Sequence, residues 1–235
     1  MRTTAQILDA IYTDGSGGNL PALLCVDCTT VLDLSATGMA LINDDGHQGV
    51  LGASGPLATR LEDLQFELGE GPGLDAFRAN SPILEPDLSV NAMTRWPGFG
   101  SSALSEGVRA VLALPLQAGA TPMGALCLYR STPGRWDDDG TASALAYADA
   151  AVAVLLRLQA QPGPALHPDL AAPVAYRAVV HQATGFLAVQ ASVGLAEALL
   201  LLRAHAYASE RPLLQVAREV LAGTLRIQPG EGEDD

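Results

Sequence analysis

The chain has no lysine. Its thirteen basic residues are all arginine, set against 26 Asp and Glu, for a formal net charge of −13 over 235 residues. Such acidity excludes a surface coated in polyanion-binding charge, so any nucleic-acid contact must be confined to a local patch. Aromatics are scarce at 5%, and Ala, Leu and Val are expected to fill the cores. Three cysteines in a chain of this length do not make a disulfide framework and fit a reducing cytoplasm. The opening MRTTAQILDAIYTDG lacks an apolar stretch long enough for a secretory signal. The most apolar long run, Ser143 to Leu158, is Ala-rich, carries Asp149 and Arg157, and reads as too short for a membrane span. No membrane partner is expected.

What is present is a chain 49% hydrophobic, enough for one large domain or two smaller ones. Pro162, Pro164, Pro168 and Pro173 punctuate residues 159–173. Prolines at that spacing predict a semi-rigid linker that no helix or strand crosses. The organisation expected is an N-terminal segment 1–19, a domain over 20–158, the linker 159–173, a small domain over 174–227, and an acidic, solvated tail 228–235. Charge divides the same way. Residues 1–172 hold 8 Arg and 19 Asp and Glu, whereas residues 173–227 hold five Arg against three Glu. The only net-basic segment is the C-terminal one.

The larger domain alternates strand and helix signals. Helices are expected over 20–34, 57–68 and 141–158. Strands are expected at 38–42 and 49–53 around an Asp45-Gly46 turn, at 82–88, and at 108–117 and 123–130. Residues 94–106 read as loop and helix. Asp137, Asp138 and Asp139 suit the positive end of the last helix better than a metal. In the smaller domain, Tyr176, Val180, Ala183 and Leu187 share one face of a first helix. A second helix, 195–208, would bury Leu195, Ala198, Leu199, Leu202 and Ala206, with Gly194 as N-cap and Glu197 as half a capping box. A third starts at Pro212 and packs through Leu213, Val216, Ala217, Val220, Thr224 and Leu225. A three-helix bundle of roughly 50 residues is marginal alone. Leu200 and Leu201 fall outside the core arc of the second helix, as lone exposed leucines or as a dimer contact.

HQATGFL, EALLLLRAHAYA and RPLLQVAREVLAG together resemble the ANTAR domain, a three-helix RNA-binding module of bacterial transcription antiterminators. FELGEGPGLDAFR, RWPGF and ALPLQAGATPMGALCLYR resemble, as an ordered set, the GAF domain of GAF–ANTAR regulators. The resemblance implies an α+β fold: a GAF-type antiparallel sheet flanked by helices, with a ligand pocket on one side, then a small all-α three-helix bundle. It also implies signal sensing by the first domain. The second would bind tandem stem-loops in nascent RNA, typically as a homodimer, to prevent termination. Two positions depart from the pattern. Gly73 stands where relatives often have cysteine, which removes thiol sensing at that loop, and Ala188 stands where methionine is usual.

RNA binding needs cations for phosphates and planar or hydrogen-bonding groups for unstacked bases. Arg177 and His181 lie one turn apart on the first helix, and Gln182 offers an amide to a base edge. Gly185, at a helix cost of about 1 kcal/mol relative to Ala, implies that something needs its space: a close-packed helix of the bundle or a nucleotide backbone. Arg203 and Tyr207 are one turn apart on the second helix. Arg211 and Arg218 are expected on the outer side of the third. Binding through this patch should weaken steeply with salt.

The larger domain displays no catalytic set, and the chain is not expected to be an enzyme. Cys25 and Cys28 form a lone CxxC that reads as two buried small residues, and Cys127 as a core strand residue. His47 has no partner histidine at ligand spacing. Glu67 and Glu70 read as capping or solvated carboxylates. GEGPG is no phosphate loop, and Ser54, Ser101 and Ser102 lack a nucleophile-elbow context. The sequence names no cofactor; the signal is a small molecule or a protein of unknown identity.

Overall fold

A computed structural model describes residues 2–14, 19–43, 46–160, 168–209 and 211–227, with backbone alone at 14, 46–48, 93 and 168–177. It divides into two compact units, 1–173 and 174–235.

The first unit is built on five strands: β1 (Ala36–Asn43), β2 (Gly46–Ala53), β3 (Ile83–Glu85), β4 (Ala110–Ala118) and β5 (Thr121–Arg130). They form one antiparallel sheet in the order β2-β1-β5-β4-β3. Strict alternation along β4 and β5 sends Leu112, Leu114, Leu126 and Leu128 to one face, and Val111, Ala113, Cys127 and Tyr129 to the other. Both sets are buried, so these strands read as continuous apolar runs rather than as alternating ones.

Helices cover both faces. On the leucine face lie α1 (Thr4–Asp14), α2 (Leu20–Val31) and α7 (Asp138–Gln159), which contribute Ile7, Ile11, Leu24, Tyr147, Val154 and Leu155 to the core. On the other face lie α3 (Pro56–Leu68), α4 (Pro72–Ala79), α5 (Leu88–Arg95) and α6 (Pro97–Ser105), which bring in Leu61, Trp96 and Phe99. Segment 1–19 therefore supplies a core helix, and the glycine-rich GEGPG run opens another, α4, with Pro72 in its first turn. The few aromatics are the largest side chains in this core: Trp96, Tyr129, Tyr147 and Phe99 are fully buried. Asp137 caps α7, accepting from the Gly140 amide at 2.7 Å, with Asp138 and Asp139 in the first turn. At 22 residues α7 is long and apolar enough to cross a membrane. Ala144, Tyr147, Ala151 and Leu155, however, pack into the core.

The second unit holds most of α8 (Pro168–Ala191), then α9 (Leu195–Ala208) and α10 (Leu213–Leu221). No helix was expected to cross the prolines of 159–173, yet α8 starts at Pro168 and runs through Pro173. Pro168, at the first helical position, loses nothing, because that amide has no intrahelical acceptor and its fixed φ already suits the helix, whereas Pro173 further in forgoes one intrahelical bond that the rest of the helix offsets. Residues 161–167 of the expected linker, and the tail 228–235, lie outside the described residues. Val180, Ala183 and Leu187 of α8 pack in this unit with Ala198, Leu202 and Ala206 of α9 and Leu213, Val216, Ala217 and Val220 of α10. Leu195 was expected in that core and is 65% exposed, because the first turn of α9 projects beyond it. The third helix stops at Leu221, since Gly223 takes a left-handed φ of 72° and the Thr224 amide turns back to the Glu219 carbonyl. This Schellman ending leaves Thr224 exposed and Leu225 half-buried.

Candidate nucleic-acid interface and sensor interior

In α8, residues are spaced by about 100° around the axis. The buried residues Val180, Ala183, Thr184 and Leu187 define the inner face. The opposite arc, about 140° wide, carries Ala178, His181, Gln182, Gly185, Phe186 and Val189. His181 and Gln182 are exposed, Phe186 is 46% exposed and Val189 83%. Among the described residues, a Cβ built on Gly185 would meet nothing within 4 Å. Packing inside the bundle therefore does not explain this glycine; the space it leaves opens outward. The helix ends through Ser192 in the left-handed region, with the Val193 amide bonded to the Ala188 carbonyl at 3.0 Å.

The arginines are less united. Arg177 lies outside the residues whose side chains are described. Arg203 is half-buried on α9, one turn before Tyr207, which is 60% exposed. Arg211 does not sit on the third helix, which begins after the N-cap Pro212. Its guanidinium donates to the Glu219 carboxylate, which also accepts from Gln215 at 3.3 Å. The hydrogen bond from Arg211 holds the Glu219 carboxyl below the usual carboxylate range. Arg211 is thus tied up by a neighbouring acid and is corrected as a free phosphate contact. Arg218 is exposed in the last turn of α10. Leu200 is 66% exposed and Leu201 half-buried. The structure brings His181, Gln182 and Gly185 onto one open surface and separates Arg211 from it chemically. Phe186 and Val189 were missed, although their angles alone put them outside the Val180–Ala183–Leu187 arc.

In the first unit the sequence motifs prove to be internal clamps. Asp75 accepts from Arg95 Nε at 3.0 Å and from Trp96 Nε1 at 3.1 Å, fastening the GPGLDAFR helix to RWPGF. Glu70 accepts the Gly98 and Phe99 amides at 2.8 and 2.9 Å and so caps the open N-terminus of α6. Beneath them lies a fully buried polar cluster. Tyr129 donates its hydroxyl to Glu62 at 2.8 Å; Gln65 donates its amide to Glu62 and to Tyr129, each at 3.1 Å, and accepts the Gly73 amide at 2.8 Å. The glycines make room for it. A Cβ on Gly38 would lie 2.5 Å from Glu62 atoms, and one on Gly73 would lie 3.0 Å from Cys127 Sγ.

Burial pushes up the Tyr129 hydroxyl and the Cys127 and Cys25 thiols, and raises Cys28 to about 12 against the opposing hydrogen bond to Thr37. Cys25 and Cys28 are the buried small residues expected, and their thiols stay protonated near neutral pH. His47 lies among the side chains left undescribed. Trp96, Phe99 and Tyr129 fill the centre of this sheet face. A recess of about 330 Å³ remains at its edge, lined by Ile42, Asn43, Leu74, Phe77, Arg78 and Asn80, among others. It joins an apolar floor to one guanidinium and two amides.

These features define an α+β module with both sheet faces covered, followed in the chain by a three-helix module. A profile of the GAF domain matches residues 23–156, and one of the ANTAR domain matches residues 169–221. The chain belongs to the GAF domain family and carries an ANTAR domain after it, an architecture with a regulatory role. Among solved structures, the GAF domain of an Acinetobacter phosphoenolpyruvate-protein phosphotransferase is similar at 10% identity and TM-score 0.52, over 69% of this chain and 95% of that one. The GAF domain of the corresponding Coxiella burnetii protein is similar at 16% identity and TM-score 0.50, over 67% and 95%. At such identities the likeness is one of fold. A comparison with curated proteins gives no match.

Proposed function

We propose that this protein is a cytoplasmic, non-enzymatic regulator of transcription termination. Its helical unit binds stem-loop RNA, and its GAF unit receives a small-molecule or protein signal. One observation carries the reading. The segment that matches the ANTAR domain is charge-balanced, with four Arg against four Asp and Glu, in a chain of net charge −13, and it presents His181, Gln182, Tyr207 and Arg218 to solvent. Cations place phosphates, whereas amide, imidazole and phenol groups suit unstacked loop bases. In the GAF unit, the recess beside Phe77 and Arg78 supports a ligand of modest size. Two copies acting on tandem hairpins would raise affinity through avidity, and Leu200 with Leu201 is the dimer contact of this reading.

A second reading, a scaffold that docks proteins through its helical unit, draws on the exposure of Leu195, Leu200 and Val189. A gel shift with a tandem-hairpin RNA separates the two. Under the RNA reading, Arg218→Ala weakens the shift at every RNA sequence, and Leu200→Ala weakens it chiefly at low protein concentration. A wild-type chain that shifts no hairpin RNA at low salt would sink the proposal.

A further inference from the structure

The chain has two tryptophans, five tyrosines and four phenylalanines. In the first unit, Phe66, Phe77, Phe99, Trp96, Trp136, Tyr129 and Tyr147 are buried, and Tyr12 is half-buried under the Arg157 guanidinium at 4.4 Å. Among the described residues, the exposed aromatic side chains are Phe186 and Tyr207, both in the net-basic stretch 173–227. A sequence so sparing of aromatics leaves these two in water.

The setting of Phe186 is specific. Gln182 stands one turn before it, at the i,i+4 spacing that puts Cβ atoms about 5–6 Å apart. Gly185 lies beside both and leaves the helix backbone uncovered. His181, exposed, borders the other side of Gly185. From Ala178 to Ala191 the helix bears no Asp, Glu or Arg, so this face attracts nothing by fixed charge. A helix from a second copy laid here would gain Phe186 and Val189 but would bury the Gln182 amide, and a buried polar group left without a partner opposes association. An unpaired base satisfies both kinds of group at once: its ring stacks on Phe186 and its edge hydrogen-bonds Gln182.

Resting on the RNA reading above, we propose that the outer face of α8 is a base-reading surface. Phe186 stacks an unpaired loop nucleobase, Gln182 bonds that base's edge, and Gly185 admits the ribose close to the helix. Recognition at this face is by stacking and hydrogen bonding; the arginines of α9 and α10 act on phosphates elsewhere. Phe186 is then a specificity residue, and Gly185 accounts for its helix penalty by the contact it permits.

The test uses the full chain and a fluorescein-labelled tandem-hairpin RNA, read by anisotropy, together with the same RNA made abasic at each loop position in turn. Phe186→Leu, which keeps apolar area without a π-face, is expected to weaken binding roughly 5- to 150-fold. Phe186→Tyr should stay within about threefold. One abasic position should erase the difference between wild type and Phe186→Leu. Circular dichroism melts of the variants should coincide, since the ring is exposed. Wild-type binding that Phe186→Leu leaves unchanged overturns this inference alone. A shift in the sedimentation dimer constant without RNA, with no loss of RNA affinity per dimer, overturns it in favour of a second copy. Absence of wild-type binding to any hairpin removes the inference together with the reading beneath it.

Discussion

The two units treat the same residue types in opposite ways. In the first, aromatics go inside and the acids of the signature motifs are bound: Asp75 to Arg95 and Trp96, Glu70 to two amides, Glu62 to Tyr129 and Gln65. In the second, Phe186 and Tyr207 face water, and Arg218 is exposed. Conspicuous motifs in the larger unit therefore report on how it holds its shape, whereas inconspicuous residues of the smaller one carry the chemistry open to a partner.

The comparison breaks most sharply at Trp96. Trp96→Ala removes a fully buried ring and one of the two side chains that donate to Asp75; a loss of about 3–5 kcal/mol is expected in urea unfolding. Tyr207→Ala, at a 60% exposed position, should change stability by less than about 0.5 kcal/mol while lowering RNA affinity. Equal stability losses at the two sites would erase the contrast. Next comes Gly38→Ala, whose Cβ would meet Glu62 at 2.5 Å. Overpacking of this kind should cost about 1–3 kcal/mol, read as a lowered denaturation midpoint with unchanged slope.

A smaller effect tests the acidity of the first unit. Asp63 is pushed up to about 6, first by burial and then by Glu67 and Glu62. A carboxyl raised in the folded state is protonated in both states below about pH 4 and ionised in both above about pH 6, so stability falls as pH rises through that window. Asp63→Asn should thus stabilise by about 1 kcal/mol at pH 8, after discounting for solvent screening, and by nothing at pH 3.5. Stabilisation that persists at low pH would mean that packing, not charge, is responsible. The smallest effect is at Arg211. Its partly exposed pair with Glu219 should contribute little to stability, and less still at high salt. Arg211→Gln should leave RNA affinity within about twofold, whereas Arg218→Gln should reduce both affinity and the slope of binding against salt. With Arg211 occupied and Arg203 half-buried, that slope should be shallower than the five arginines of the segment suggest.

Much of this was legible in order. The strands at 108–117 and 123–130, the helix at 195–208, the place of Asp137 at a helix start and the burial of Cys25, Cys28, Val180, Ala183 and Leu187 follow from periodicity and helix-dipole chemistry. Helix α4 was hidden because GEGPG reads as a turn and Pro72 as its continuation, although the same proline opens a helix well. Helix α1 was hidden because its two anchoring residues, Ile7 and Ile11, form too short a pattern to stand out. The entry of α8 at Pro168 was hidden because proline spacing alone does not tell a helix-opening proline, whose amide has no intrahelical acceptor, from one that breaks a helix.

Composition and local periodicity alone determined that this chain has an acidic body and a mildly basic helical end, most of the elements it forms, and the apolar face of most of them. Those properties depend on neighbours a few residues apart. Only the tertiary structure decided which charges are free and which glycines are crowded. Glu219 captures Arg211 across eight residues, Glu62 fills the space left by Gly38, and among the described residues nothing approaches Gly185. Whether a cation is available or a gap is filled depends on groups brought together by the fold, and their distances are not written in sequence spacing.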